Sequence, residues 1–298
     1  SLKALIEAGH EVCGVFSQPD KPVGRHQNKL KPTPVKECAL SYQAAGRDIP
    51  VYQPEKLRDG TALAILKELA PELIVVAAYG RILPDEILAA PPKGCINVHS
   101  SLLPNYRGAA PIHWAVLNGE RETGVTIMHM AHDLDAGDII AQAATPIDPD
   151  ETVVALHDRL AVLGAELLVN VVADIAAGTA TRTPQEHGKA TLAPMLSREL
   201  SPMDWSRPAR ALHNQVRGLI PWPTAVTELG GNRCKVFSTS VLDATTSAAP
   251  GTILAAGKEG IQVACGGGTV LRIDELQADG GKRMKAADYL RGHPIPVG

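Results

Sequence analysis

The chain has 298 residues, 45% hydrophobic and 20% charged, with a formal net charge of −3. That is the balance of a soluble globular protein of one or two domains, and it gives no sign of a strongly basic or a disordered chain. Five scattered cysteines (Cys13, Cys38, Cys95, Cys234 and Cys265) without a C-x-x-C pair exclude a disulfide framework and a cysteine zinc site and fit a reducing cytoplasm.

No apolar run reaches the ~18 residues of a membrane span, and no signal peptide is visible. Aromatic residues make up only 3%, so the cores are expected to be aliphatic. From Arg198 onward 12 basic residues face 9 acidic ones. That slight basic excess points toward a polyanionic partner.

The chain opens at Ser1 in a helical pattern that stops at Gly9. Glu11 to Phe16 reads as a strand. Helix then strand suggests a βαβ unit whose first strand precedes Ser1. Residues 18–35 are rich in Pro, Gly and Lys and read as a long basic loop. No acidic residue lies between Lys21 and Lys36, which suits phosphate contacts. Helical patterns follow at Val35–Ala45 and Gly60–Leu69, around a short strand at 50–54. Residues 71–78 form a continuous apolar run, expected as a central parallel strand covered on both faces.

Cys95–Val98 is the next strand, followed by a loop and a helix over 106–118. An alternating strand is predicted at 124–130, a polar turn at 131–137 and another strand at 138–142. Asp150-Glu151-Thr152 caps a long helix with Leu156, Leu160, Leu163, Leu167 and Val171 at helical spacing, ending near Gly178. Residues 179–197 are polar and without periodicity, and read as a linker. Beyond a helical segment at 205–219, five short strands within ~75 residues suggest a small β-barrel. The expected architecture is an α/β catalytic domain with a doubly wound, mostly parallel sheet over 1–178, a linker over 179–197, and a C-terminal barrel of OB type over 198–298.

The chemistry concentrates at Asn97–Ile112. Asn97 and His99 are two residues apart and share one face of their strand, at the carboxyl end where open α/β sheets place their ligands. An amide and an imidazole can both donate to an oxygen gaining negative charge. The acidic turn Leu134-Asp135-Ala136-Gly137-Asp138 could orient the imidazole. Such a set suits acyl transfer onto an amine, which is its own nucleophile and needs only an oxyanion stabiliser and a proton route. No phosphate-binding Gly-rich loop and no G-x-S-x-G elbow follows a strand, so kinase, dehydrogenase and hydrolase readings lose their anchors.

Asn97-x-His99, Ser101-Leu-Leu-Pro104, Arg107-Gly108 and Asp135-x-Gly137 resemble the folate-dependent formyltransferases. So do the basic segment Lys21–Arg25 with Pro34–Lys36, Arg107–Ile112, Glu122–Ile127 and Val216–Pro223, in order across the chain. The resemblance implies that Asn97 and His99 polarise a formyl group and stabilise the tetrahedral oxyanion. Asp135 would pair with His99 and help remove the amine's proton.

The resemblance further implies that Ser101, Leu102, Leu103 and Pro104, with Arg81, Ile82 and Leu83, hold 10-formyltetrahydrofolate as formyl donor, with residues 131–135 closing over it. Arg25 would lie on the loop that enters the acceptor stem of initiator methionyl-tRNA, and Lys29, Lys31 and Lys36 of the same basic loop suit contacts to the tRNA's phosphates. No metal is implied, and the expectation is a cytoplasmic monomer without membrane contact. The competing readings are formylation of an amino sugar nucleotide or of glycinamide ribonucleotide, hydrolysis of the formyl-folate, and a non-catalytic RNA-binding protein. The basic loop and the second domain weigh against small acceptors, and the intact Asn97, His99 and Asp135 against a binding module.

Overall fold

The structure, a computed structural model, describes residues 1–23 and 29–298. It opens with α1 (Leu2–Glu7), β1 (Val15–Phe16), β2 (Lys21–Val23), β3 (Lys29–Lys31), α2 (Pro34–Ala44), β4 (Val51–Tyr52), α3 (Thr61–Leu69), β5 (Ile74–Ala77), α4 (Asp85–Leu88) and β6 (Cys95–His99). Then come α5 (Pro111–Leu117), β7 (Glu122–His129), β8 (Ile139–Pro146), α6 (Val153–Ala177) and α7 (Ala209–Gly218). The chain ends with β9 (Ala225–Leu229), β10 (Asn232–Thr245), β11 (Ile253–Gly257), β12 (Gly260–Ala264), β13 (Thr269–Ala278), β14 (Met284–Lys285) and α8 (Ala286–Tyr289).

Two compact units emerge. The first comprises residues 1–109, 124–144 and 160–192, and the second residues 110–123, 145–159 and 193–298. The stretch 179–192, expected as a linker, thus belongs to the first unit. Thr183 and Ile139 exchange both backbone hydrogen bonds, at 2.8 and 2.9 Å. Further on, Leu192 bridges Arg107.

In the first unit, β1 and β4 pair in parallel. A separate sheet runs β5-β6-β7-β8. There β5 and β6 are parallel and β6 and β7 antiparallel, so antiparallel strands are added beyond the parallel pair. Two strand expectations change, while β5 pairs in parallel with β6 over Ile74–Ala77, inside the run expected as a parallel strand. β7 is buried from Thr123 through Met128 and does not alternate, as befits an inner strand with β6 on one side and β8 on the other. Within the basic segment, expected as a loop, the described residues Lys21–Val23 and Lys29–Lys31 pair as antiparallel strands, with Lys21 opposite Lys31.

α2 carries the features that start a helix: Thr33 accepts from the Lys36 amide, and Pro34 occupies the first turn. α6 is, contrary to the sequence reading, long and apolar enough to cross a membrane by length and composition. Its Gly164 faces the sheet, where an added Cβ would lie 3.1 Å from Val98 and 3.3 Å from Val125. The absent side chain lets the helix approach closely, which marks this as a packed core face.

In the second unit an antiparallel sheet runs β11-β12-β13-β10-β9, with β14 added to β13. β10 is 14 residues long, and its pairing with β13 shifts register at three places. Such bulges bend a strand and let one strand serve two directions of a coiled sheet. Leu212 and Val216 of α7 join Ile261, Leu271, Ile273 and Leu276 in the core.

Candidate active site

The site grows from the carboxyl end of β6. Asn97 stands opposite Met128 and His99 opposite Thr126 of β7, so the two side chains emerge on one face. His99 is 6% exposed. Its Nε2 lies 2.9 Å from the carbonyl oxygen of Tyr106. A carbonyl only accepts, so Nε2 carries a hydrogen and donates it. Nδ1 is thereby turned toward Asp135, whose Oδ2 is 3.8 Å away.

Asp135 sits in a turn that its neighbours constrain. Its φ is +49°, a left-handed conformation rare outside glycine and concentrated at functional positions. The carboxylate accepts the Gly108 amide at 2.8 Å. Two residues on, a Cβ at Gly137 would lie 1.7 Å from the carbonyl oxygen of His129. Only glycine permits that approach, which explains the Asp-x-Gly pattern physically.

The loop after His99 is held from within. Ser101 is fully buried, and its hydroxyl donates to the Asn105 carbonyl at 2.6 Å. Thr126 of β7 donates to the Ser101 carbonyl at 2.6 Å and accepts the Leu103 amide at 3.1 Å. Gln142 of β8 donates to the Leu103 carbonyl at 2.9 Å. Leu103 is also buried. Ser101 and Leu103 therefore shape the loop with their side chains, while Leu102 and Pro104 are half-buried.

At the end of β5, Arg81 donates from one nitrogen to the carbonyls of Pro54 and Glu55, at 3.0 and 2.8 Å. Leu83 is buried and Ile82 is 71% exposed. Of that trio, Ile82 presents an apolar side chain to the outside. Leu134, beside Asp135, does the same at 61%.

The expected acceptor-binding residues divide. Lys29 and Lys31 are exposed on β3. Lys36 instead donates to Asp20 at 2.7 Å and to Gln53 at 2.8 Å. Gln53 also donates to Asp20 at 2.7 Å. The Lys36 ammonium beside it, then the Gln53 amide, hold the Asp20 carboxyl below its usual range. Lys36 is thus committed to the base of the hairpin. Arg25 lies outside the described residues. Among the described residues no cluster of three or more His, Cys, Asp or Glu is placed to hold a metal ion.

Sequence reasoning missed the residues that hold this site. Tyr106, Gly108, Thr126 and Gln142 act through individual hydrogen bonds, one or a few each, that leave no periodic signal. Gln185, in the supposed linker, is 5% exposed although its neighbours Pro184 and Glu186 are exposed. One amide in a polar stretch carries no mark of burial.

An imidazole, a carboxamide and a carboxylate around a strand end, with no built-in nucleophile, suit the transfer of a small acyl group to an incoming amine, and the chain belongs to the formyl transferase family. It matches the formyl transferase domain over residues 1–172 and the formyl transferase C-terminal domain over residues 195–294. The particular relatives are methionyl-tRNA formyltransferases. The chain is 48% identical to that of Bacillus subtilis, over 100% of its own length and 92% of the relative's. To that of Moorella thermoacetica it is 50% identical, over 100% and 94%.

Among solved structures, HypX from Aquifex aeolicus in complex with tetrahydrofolic acid superposes with a TM-score of 0.65 at 18% identity, covering 95% of this chain and 48% of that one. The N-formyltransferase from Helicobacter canadensis in complex with folinic acid and dTDP-3-aminofucose gives 0.62 at 16%, over 88% and 99%. These two likenesses carry the fold alone.

Proposed function

We propose that the chain transfers the formyl group of 10-formyltetrahydrofolate to the free α-amine of initiator methionyl-tRNA, giving N-formylmethionyl-tRNA for translation initiation. The observation that carries this is the 48% identity, spanning the whole chain, to methionyl-tRNA formyltransferases.

The amine nitrogen attacks the formyl carbon and a tetrahedral oxyanion forms. The Asn97 carboxamide donates to that oxygen, with His99 beside it on the same strand face. Asp135 accepts the proton that the attacking nitrogen sheds. The bond from the formyl carbon to N10 of the folate then breaks, and N10 takes a proton. One proton leaves the amine and one arrives at N10, so the reaction balances without a metal or an oxidant. His99 Nδ1, the ring nitrogen that is not committed to Tyr106, lies on the Asp135 side and serves this proton route.

The folate lies against the 81–83 loop and the 101–104 loop, with Ile82 and Leu134 offering apolar surface to its rings. Strand β3 presents Lys29 and Lys31 to the acceptor's phosphates, with Arg25 a few residues before it in sequence. Residues 1–178 act as the catalytic part, together with the strap at 179–192, and 198–298 as an OB-type module that meets the tRNA. The protein works in the cytoplasm as a monomer.

The test is direct. Purified protein is mixed with 10-formyltetrahydrofolate and methionyl-tRNA, and formylmethionine is assayed after release from the tRNA. Formylmethionine that depends on both substrates supports the proposal. Formate release without it would point to a formyl-folate hydrolase, and tRNA binding with neither product to a binding module.

A further inference from the structure

We propose that Gln185 is a positioning residue for Asp135, tying the Asp135–Gly137 turn to Arg107 and so fixing the carboxylate against His99. This rests on the formyl-transfer reading above, in which Asp135 takes the amine's proton.

The Gln185 amide is fully used. Its Nε2 donates to the carbonyl of Asp135 at 2.8 Å and to that of Gly137 at 2.8 Å. Its Oε1 accepts from Arg107 Nε at 3.1 Å and from a terminal guanidinium nitrogen at 2.7 Å. Carbonyls only accept and a guanidinium only donates, so a single orientation of the amide satisfies all four bonds. Arg107 is itself anchored. Its amide donates to the Thr191 carbonyl at 2.9 Å, and its guanidinium donates to His187 Nδ1 at 3.0 Å. Next to it, the Gly108 amide meets the Asp135 carboxylate.

The turn is therefore held twice, once at the carboxylate by Gly108 and once at the backbone by Gln185. The strap 183–192 supplies the second hold. It docks on β8 through Thr183 and on the Tyr106–Arg107 segment through Thr191. A left-handed Asp costs free energy that surrounding contacts must offset, and these are the contacts at its own carbonyl. With them broken, the turn relaxes and the carboxylate leaves the 3.8 Å relation to His99. Buried side-chain networks of this kind are measured by double-mutant cycles, because their members act as a unit.

The experiment compares wild type, Gln185→Ala, Arg107→Ala and Gln185→Glu, each alone and with Asp135→Asn. Gln185→Glu keeps the acceptor toward Arg107 and places an oxygen against two carbonyls. Residues that orient a functional group from one step away, as the outer-shell partners of metal ligands do, typically cost about 10–100-fold when lost. Gln185→Ala and Gln185→Glu are expected to lower kcat by roughly that factor with little change in KM for either substrate. In the Asp135→Asn background the further loss is expected to be under about 3-fold. Hydrogen exchange of the amides at 135–138 in the free protein is expected to quicken in both variants.

Losses that multiply across the two sites would overturn the proposal, as would faster exchange at 135–138 with kcat unchanged. Should Gln185→Ala fail to fold, Arg107→Ala tests the same strap from its other end. A wild type without formylation activity would overturn the parent reading alone. The exchange measurement would still decide whether Gln185 holds the turn.

Discussion

Oδ2 of Asp135 stands 3.8 Å from Nδ1 of His99 while Nε2 of the same ring donates to the Tyr106 carbonyl. The ring is thus locked at one nitrogen and faces the carboxylate with the other. In the proposed reaction Asp135 is the proton acceptor of the set and Asn97 its neutral oxyanion donor. Asp135→Asn and Asn97→Ala should each lower kcat by about 100-fold or more, the usual cost of a lost oxyanion or base partner. Single-turnover kinetics with the formyl donor bound would check this. Turnover near that of wild type in either variant would remove that residue from the chemistry.

Gly137→Ala should damage the turn through packing alone. The new Cβ would fall 1.7 Å from the His129 carbonyl oxygen, so the backbone of the turn must move. Overpacking of this kind costs about 1–3 kcal/mol. A lowered denaturation midpoint together with lost activity is expected. An unchanged midpoint with full activity would mean that the turn yields freely.

The lysines of the hairpin should separate by role. Lys29 and Lys31 are exposed, so each replaced by Ala should reduce the slope of log K against log salt for tRNA binding by about 1. Lys36 is bonded to Asp20 and Gln53, and Lys36→Ala should weaken binding with less change in slope. A slope change at Lys36 equal to that at Lys29 would show that it also reaches phosphate.

A buried histidine in the second unit should make stability depend on pH. Burial, then the Arg210 charge, hold His213 below the usual imidazole value of about 6.5, although Asp150 opposes them. Nδ1 bonds Thr239 at 2.9 Å, Nε2 lies 3.1 Å from Asp150, and Arg217 adds a further positive charge. With the folded value depressed, the unfolded chain binds more protons below about pH 6.5. Stability therefore falls as pH drops through that value toward the folded one. His213→Gln should lose less Tm than wild type between about pH 7.5 and 5.5. An equal loss in both would assign the slope to other groups.

Much of this was legible in the chain. The pair Asn97 and His99 follows from strand alternation, and α6 from its apolar spacing. The five strands β9 to β13 follow from short alternating segments. What escaped has a common cause. β7 looked alternating because Thr123 and Thr126 are polar, yet both are buried, and Thr126 spends its hydroxyl on the Ser101–Leu103 loop. The hairpin β2–β3 hid in a Pro- and Gly-rich segment whose composition signals turns, not pairing. The strap around Gln185 works through isolated bridges and one amide, which have no period to detect.

The reaction proposed for this chain is formylation of the α-amine of initiator methionyl-tRNA. Initial rates with 10-formyltetrahydrofolate should be compared for initiator and elongator methionyl-tRNA carrying the same amino acid. Rapid formylation of the initiator and a much lower kcat/KM for the elongator are expected. Equal rates on both would contradict the assigned acceptor, and no formylation of either would contradict formyl transfer to methionyl-tRNA.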